Sequence, residues 1–263
     1  MATQIKNILK KKKIAVFDID GTIFRSSLLI ELLEGLIMER VFPTQARKIY
    51  EKEYQNWLNR KGSYEDYLYR VIKTYRKFIK GVKEERVWEI GKKIMAFHKN
   101  RTYRFSRDLI LRLRKNYYLL AISTSPRVIL KPFCDEWGFT KTYGSIYTVD
   151  ESGQFTGQIL YEELIRDKEK ILMRAVKKEN LNLKGSIGVG DTESDILFLK
   201  LVEHPIAFNP NKELYQYAAK KKWPIIVERK DVIYSIGDDI SSKTRYKISG
   251  KNLPLEIKNI FKK

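Results

Sequence analysis

The sequence predicts an α/β fold: a doubly wound, Rossmann-like parallel sheet into which an all-helical domain is inserted. Three observations carry this. Short apolar runs rich in β-branched and aromatic residues recur along the chain, helical patterns separate several of them, and one long early stretch is helical without a strand. Alternation of this kind places helices on both faces of a parallel sheet. A chain of 263 residues has room for one such domain with a smaller one inside it.

The elements follow in order. Ile14–Asp20 reads as the first buried strand, preceded by the basic run Lys10–Lys13. Asp18 and Asp20 cut that apolar run short, which argues against a secretory signal. From Leu28 to about Asn100 the pattern is helical, with aromatics at Tyr50, Tyr54, Trp57, Tyr64, Tyr67, Tyr69, Tyr75, Phe78 and Trp88. Most of these are expected to form the inserted domain's own core, leaving a minority to line a cleft. Ser106–Lys115 then reads as a helix and Tyr118–Thr124 as a strand. Tyr143–Leu160 reads as a hairpin turning at Asp150–Gln154. Helix Lys168–Glu179, strand Ser186–Gly190, helix Asp195–Leu201 and strands Pro205–Phe208 and Pro224–Val227 complete the alternation. Beyond Arg229 the pattern loosens into a basic tail. The expected division is therefore a core of residues 1–27 and 100–228, a helical insertion of 28–99, and a basic C-terminal extension of 229–263.

Composition narrows the function classes. Apolar residues make up 43% of the chain, enough for a globular core, and no run approaches the roughly 18 apolar residues of a membrane span. Cys134 is the single cysteine, which excludes an internal disulfide and a multi-cysteine metal site, and it sits in a helical apolar pattern as a small core residue. A cytoplasmic location is the expectation. The net charge of +20 would suit phosphorylated metabolites, an anionic membrane surface or nucleic acid. The lysines are dispersed along the chain, however, so a solvated basic surface is the plainer account and nucleic acid is not expected.

Three strand ends carry chemistry. In Ile14-Ala-Val-Phe-Asp18-Ile-Asp20-Gly21-Thr22 a buried strand runs into two carboxylates one residue apart. Asp and Gly also favour turns. Two carboxylates at the mouth of a buried strand are nevertheless costly unless a cation sits between them, and a hard divalent ion with oxygen ligands suits the place. Leu119-Leu-Ala-Ile-Ser123-Thr124-Ser125-Pro126 ends in hydroxyls that could meet a phosphate or cap a helix. Ile187-Gly-Val-Gly190-Asp191-Thr-Glu-Ser-Asp195 again runs into acids, with Asp191 and Asp195 four residues apart on one face of any helix starting there. Upstream of it, Lys168 opens the apolar-periodic helix that follows Asp167.

In this order, these four segments resemble the haloacid dehalogenase superfamily of phosphohydrolases, over nearly the whole stretch from Lys13 to Glu228. The insertion directly after the first motif resembles the phosphoserine-phosphatase-like subfamily IB. So does His204-Pro-Ile-Ala-Phe-Asn-Pro-Asn-Lys-Glu-Leu, followed by Lys222-Trp-Pro-Ile-Ile. The resemblance implies a Mg²⁺-dependent phosphomonoester hydrolase acting through an aspartyl-phosphate on a small phosphorylated metabolite. Asp18 would be the nucleophile, and Asp20 the acid that protonates the leaving oxygen and then the base for water. The carboxylates of Asp18 and Asp191, with the backbone carbonyl of Asp20, would hold Mg²⁺, and Asp195 would support that shell. Gly21, Ser123, Thr124 and Lys168 would bind the phosphoryl group, Lys168 being preferred over Lys170 because it begins the helix and matches the family's lysine in register.

The sequence departs from its relatives in two places. Ile23-Phe24-Arg25-Ser26-Ser27 has no acid where phosphoserine phosphatases place a glutamate, and Ser194 replaces the usual asparagine before Asp195. Phosphoserine is thus disfavoured, and Arg25 is a candidate contact for a second anionic group. A lipid-phosphate phosphatase or a phosphotransferase are the alternative enzymes. A non-catalytic binder of RNA or anionic membrane is the less favoured class, because it would have no use for the full set of motif residues. His98 and His204 are expected to be structural.

Overall fold

A computed structural model describes residues 11–236, together with Ile257. The first strand, β1, is Lys13–Phe17, followed by helix α1, Leu28–Met38. A 3₁₀ turn at Thr44–Ile49 leads into α2 (Glu51–Leu58), α3 (Tyr64–Ile79) and α4 (Glu84–His98). The chain then returns through α5 (Arg104–Leu113), β2 (Tyr117–Pro126) and α6 (Arg127–Glu136). A hairpin of β3 (Lys141–Val149) and β4 (Phe155–Leu160) precedes α7 (Glu162–Arg166) and α8 (Lys168–Lys178). The remaining elements are β5 (Asn182–Gly190), a 3₁₀ turn at Glu193–Asp195, α9 (Ile196–Leu199), β6 (His204–Phe208), α10 (Lys212–Lys221), β7 (Ile225–Arg229) and β8 (Val232–Ile236).

The sheet runs β4-β3-β2-β1-β5-β6-β7-β8, with the six strands from β3 to β7 parallel and an antiparallel strand at each edge. Chain order reverses at β1, whose neighbours are β2 and β5. Ligands collect at the carboxyl ends of strands beside such a switch point. The strands read as unbroken apolar runs because both faces are covered. Ala15 and Phe17 face one apolar layer and Ile14 and Val16 the other, all four fully buried. The expected α/β architecture and hairpin are present.

The structure alters one expectation about the tail. Val232–Ile236, assigned to a loosened extension, is an edge strand paired with β7 around a turn in which Lys230 takes a positive φ of 54°. Ile233 is its single buried residue, so little apolar periodicity announced it. The rest of the expected extension lies outside the described residues, apart from Ile257, which is buried in the core.

Among the described residues, the stretch between Leu28 and His98 contains helices and 3₁₀ turns but no named strand. It is attached to the hairpin as well as to the chain on either side. Gly81 N–H donates to Phe155 O at 2.8 Å, Phe155 N–H to Val82 O at 2.9 Å and Glu84 N–H to Gly153 O at 2.9 Å. Tyr75 meets Tyr147 edge-on at 5.2 Å, and Arg76 pairs with Glu162 at 2.9 Å.

Candidate active site

Asp18 follows β1 directly, and its N–H donates to Val189 O of β5 at 3.0 Å. That bond sets it beside the segment carrying Asp191 and Asp195. One carboxylate oxygen from each of the three lies within 4.8 Å of the others, a set that could hold a metal ion. Lys168, the first residue of α8, closes the group. Its ammonium donates to Asp18 Oδ1 at 2.7 Å and to Asp195 Oδ1 at 2.5 Å, and all three side chains are almost wholly buried.

Asp195 has both oxygens engaged. Oδ1 takes Lys168, and Oδ2 accepts the N–H groups of Asp191 at 2.9 Å and Thr192 at 3.1 Å. It therefore braces the turn that presents Asp191. Asp18 is different, because its Oδ2 is buried with no hydrogen-bond partner. A buried, unpartnered carboxylate oxygen facing two other acids calls for an electrophile or a cation. Burial pushes the Asp18 carboxyl up to about 7, with Asp195 and Asp20 adding to the effect and Lys168 opposing it. Asp191 is likewise raised, by burial first and then by Asp18 and Asp195. Burial alone would depress the Lys168 ammonium, but Asp18 and Asp195 outweigh it and hold it above the ordinary lysine range.

The Asp20 side chain lies apart from this trio. Its Oδ1 accepts Leu28 N–H at 2.6 Å, at the start of α1, and its Oδ2 accepts Ser123 Oγ at 2.6 Å and Ser125 Oγ at 2.9 Å. The Asp20 carboxylate is thereby fixed between the end of β2 and the first inserted helix. Ser123, expected to contact phosphate, is fully buried and spends its hydroxyl on Asp20; Thr124, the next residue, is exposed and faces the cavity. The alternation of side chains along a strand accounts for that exchange. Removing the Ser123 hydroxyl tests which role it has. If it orients Asp20, Ser123→Ala should lower kcat by about 10- to 100-fold with KM little changed, since partners that orient a reacting group are worth about that much. A rise in KM with kcat preserved would return Ser123 to substrate binding.

Gly21 also differs from expectation, because its N–H donates to Phe24 O and Ser26 O within its own turn. The structure requires glycine there for two other reasons. Its φ is +81°, and a Cβ would overlap the Asp191 carboxylate. Arg25 is exposed at the cavity and, among the described residues, forms no ion pair. Lys170 pairs with Asp167 on the surface, leaving the interior position to Lys168. His98 pairs with Glu31 at 3.2 Å, away from the trio.

The cavity over these residues has a volume of about 900 Å³. Asp18, Asp20, Lys168 and Asp191 form its floor, and the inserted helices its walls. Eight of the nine aromatics lie in or pack against the core, as expected, but five of the nine, more than the expected minority, also line the cavity: Tyr50, Tyr54, Trp57, Tyr64 and Tyr67. Helical periodicity reports that a side chain faces inward, but not whether the interior is filled.

The sequence pattern of the family described as haloacid dehalogenase-like hydrolase matches residues 15–200. The chain belongs to the haloacid dehalogenase-like hydrolases. Within that family it is similar to phosphoserine phosphatases. It is 24% identical to the phosphoserine phosphatase of Methanocaldococcus jannaschii over 225 residues, covering 85% of this chain and 95% of that one. It is 28% identical to the histidinol-phosphatase of Neisseria meningitidis serogroup C over 111 residues, or 41% of this chain; the match spans half the length of that relative. A solved phosphoserine phosphatase with a phospho-aspartyl intermediate analogue shares the fold, with a TM-score of 0.55 at 23% identity over 84% of this chain and 96% of that one. Among the described residues of this hydrolase, no helix is long and apolar enough to cross a membrane.

Proposed function

We propose that this protein is a Mg²⁺-dependent phosphomonoester hydrolase that works through an aspartyl-phosphate on Asp18. The unpartnered, buried Asp18 Oδ2 carries the reading. Attack through that oxygen on phosphorus forms the acyl phosphate as the ester oxygen departs. Asp20, held by Ser123, Ser125 and the Leu28 amide, would enter this step as the carboxylic acid and give that oxygen its proton, becoming a carboxylate. The same carboxylate then takes a proton from water, which attacks the acyl phosphate and frees Asp18. Lys168 keeps Asp18 Oδ1 engaged throughout, so the second oxygen is the one left to react. Thr124 and Arg25, both exposed to the cavity, are proposed to meet phosphoryl or other anionic oxygens of the substrate.

The oxygen-only donor set fits a hard divalent ion, with Asp18 and Asp191 as carboxylate ligands, the Asp20 carbonyl as a third, and Asp195 bracing the Asp191 turn. When bound, such an ion supplies positive charge that lets an anionic nucleophile approach an anionic ester. Residues 1–27 and 100–228 would serve as the catalytic core, with 28–99 as a cap that selects the leaving group. A small phosphorylated metabolite in the cytoplasm is the proposed substrate.

Two measurements test the reading. Hydrolysis of para-nitrophenyl phosphate should require Mg²⁺ and stop, reversibly, when the ion is chelated. Independently of turnover, Mg²⁺ at about 100 times its Kd should stabilise the protein by about 3 kcal/mol, seen as a higher melting temperature. Turnover that survives exhaustive chelation would refute the metal assignment.

A further inference from the structure

Cations that lie far apart in the sequence are gathered by the fold at one edge of the sheet. The order β2-β1-β5 sets the starts of three strands side by side. Lys13 of β1 is in register with Tyr117 of β2 and Asn182 of β5, and Asn182 N–H donates to Lys12 O at 2.9 Å. Lys11, Lys12 and Lys13 therefore share this edge with Arg114 and Lys115, which link α5 to β2, and with Lys177 and Lys178, which end α8. Helix α5 packs into one apolar layer and α8 into the other, so the charge comes from all three layers of the domain.

Strand β5 adds an eighth cation. Two steps along β1, from Lys13 to Ala15, match five along β5, from Asn182 to Ile187, so β5 bulges at the edge and exposes Lys184. Lys184 N–H donates to Asn182 Oδ1 at 2.9 Å, and the Ser186 hydroxyl donates to Leu183 O. Gly185 takes a φ of +73°, and the stem of Lys13 crosses where its Cβ would stand. All eight cations are exposed and, among the described residues, form no ion pair. The glutamates set among them are Glu179, which follows Lys178, and Glu203, which accepts the Gly185 N–H. Charge at the ends of α5 and α8 also complements the helix dipoles. Lys11–Lys13 precede a strand, however, and Lys184 sits in a bulge, where no dipole asks for a cation.

The chemistry of the edge narrows the partner. Seven of the eight cations are lysines, compact point charges, and the forked guanidinium that suits nucleic-acid phosphates occurs once, at Arg114. No exposed aromatic stands among the eight for a base to stack on, and no large exposed hydrophobic either, so contact is by charge alone. We propose that this edge is a docking face for an anionic lipid membrane, held by these eight cations. A polybasic face gains from each Lys or Arg brought close to anionic headgroups. The contact is peripheral, since no helix among the described residues is long and apolar enough to cross a membrane. Asp18 lies five residues along from Lys13, about 17 Å away at roughly 3.3 Å per strand residue, at the opposite edge of the sheet. The docked protein thus turns its cavity to water, and the inference stands apart from whichever reaction the cavity performs.

The test is flotation of the full chain with vesicles of phosphatidylcholine containing about one-third phosphatidylglycerol, against pure phosphatidylcholine. The protein should float with the anionic vesicles alone. Raising salt from about 0.1 M to about 1 M, which shortens the screening length from about 10 Å to about 3 Å, should release it. A triple variant with one change in each layer, Lys12→Gln, Lys115→Gln and Lys177→Gln, should lower the partition coefficient about 100-fold, at roughly fivefold per basic residue. Its melting temperature should hold, because the three side chains are exposed. A second triple, Lys48→Gln, Lys52→Gln and Lys61→Gln, removes the same charge from exposed positions on the inserted segment and should change partitioning by no more than about threefold. Equal losses in the two triples would assign the effect to net charge and overturn the docking face. So would flotation with pure phosphatidylcholine, or no flotation with anionic vesicles at about 0.1 M salt. Capture of a duplex RNA that the first triple abolishes, with vesicles left unbound, would make the edge a nucleic-acid face and overturn the membrane assignment.

Discussion

An Asp18→Asn variant is expected to lose at least about 10⁴-fold in kcat toward aryl phosphates, the scale seen when a catalytic nucleophile is removed. The amide has the size of the carboxylate but offers no anionic oxygen to phosphorus. Fold should survive the change. Burial already pushes the Asp18 carboxyl up to about 7, so its ionised form opposes folding near neutral pH, and a neutral amide carries no such charge. Lys168 keeps Asp195 as its partner. Rapid quenching after mixing with a labelled phosphate ester should trap protein-bound phosphate in the wild type and none in the variant. A kcat within tenfold of wild type would sink the nucleophile assignment.

Lys168→Met should be the most damaging single change to stability near the site. The ammonium is the shared counter-ion of Asp18 and Asp195, at 2.7 and 2.5 Å, with the Asp195 side chain fully buried. Removing one partner of a buried ion pair leaves uncompensated charge and costs about 3–5 kcal/mol. For a chain of this size that corresponds to a fall of roughly 6 °C or more in melting temperature. Activity should fall too, since Asp18 loses the group that orients Oδ1. Neutralising the stranded charge with Asp195→Asn in the same protein should recover part of the melting temperature, because neighbouring sites do not add independently. Melting within a degree of wild type in the single variant would mean that the trio does not carry this load.

Much of this site could be read from the sequence because strand ends announce themselves. The apolar run Ile14–Phe17 and the glycine-rich approach to Asp191 are buried on both faces, and they leave the acids nowhere to go but the carboxyl edge. Lys168 was legible through its place at the start of α8. Side-chain direction was not. Whether Ser123 or Thr124 faces the cavity depends on the pleat at the last turn of β2, and both have the same chemistry on paper. Nor could periodicity distinguish the fully buried Tyr75 from the cavity-lining Tyr64, since both lie on the inner side of α3. Strand β8 escaped notice because one buried isoleucine carries no period.

The triple bond ladder between the hairpin and residues 81–84 has a mechanical corollary. With chain crossings beside Asp20 and Arg101, a third attachment at Phe155, and Gly91 of α4 set closely against Val128 of α6, the helical segment is held along several sides. Swinging the whole segment aside would strip three main-chain bonds. Helix α2, with no residue fully sunk into the protein, is the loosest panel in that frame. Among the inserted helices, α2 is thus the one whose displacement would uncover the fewest fully buried side chains.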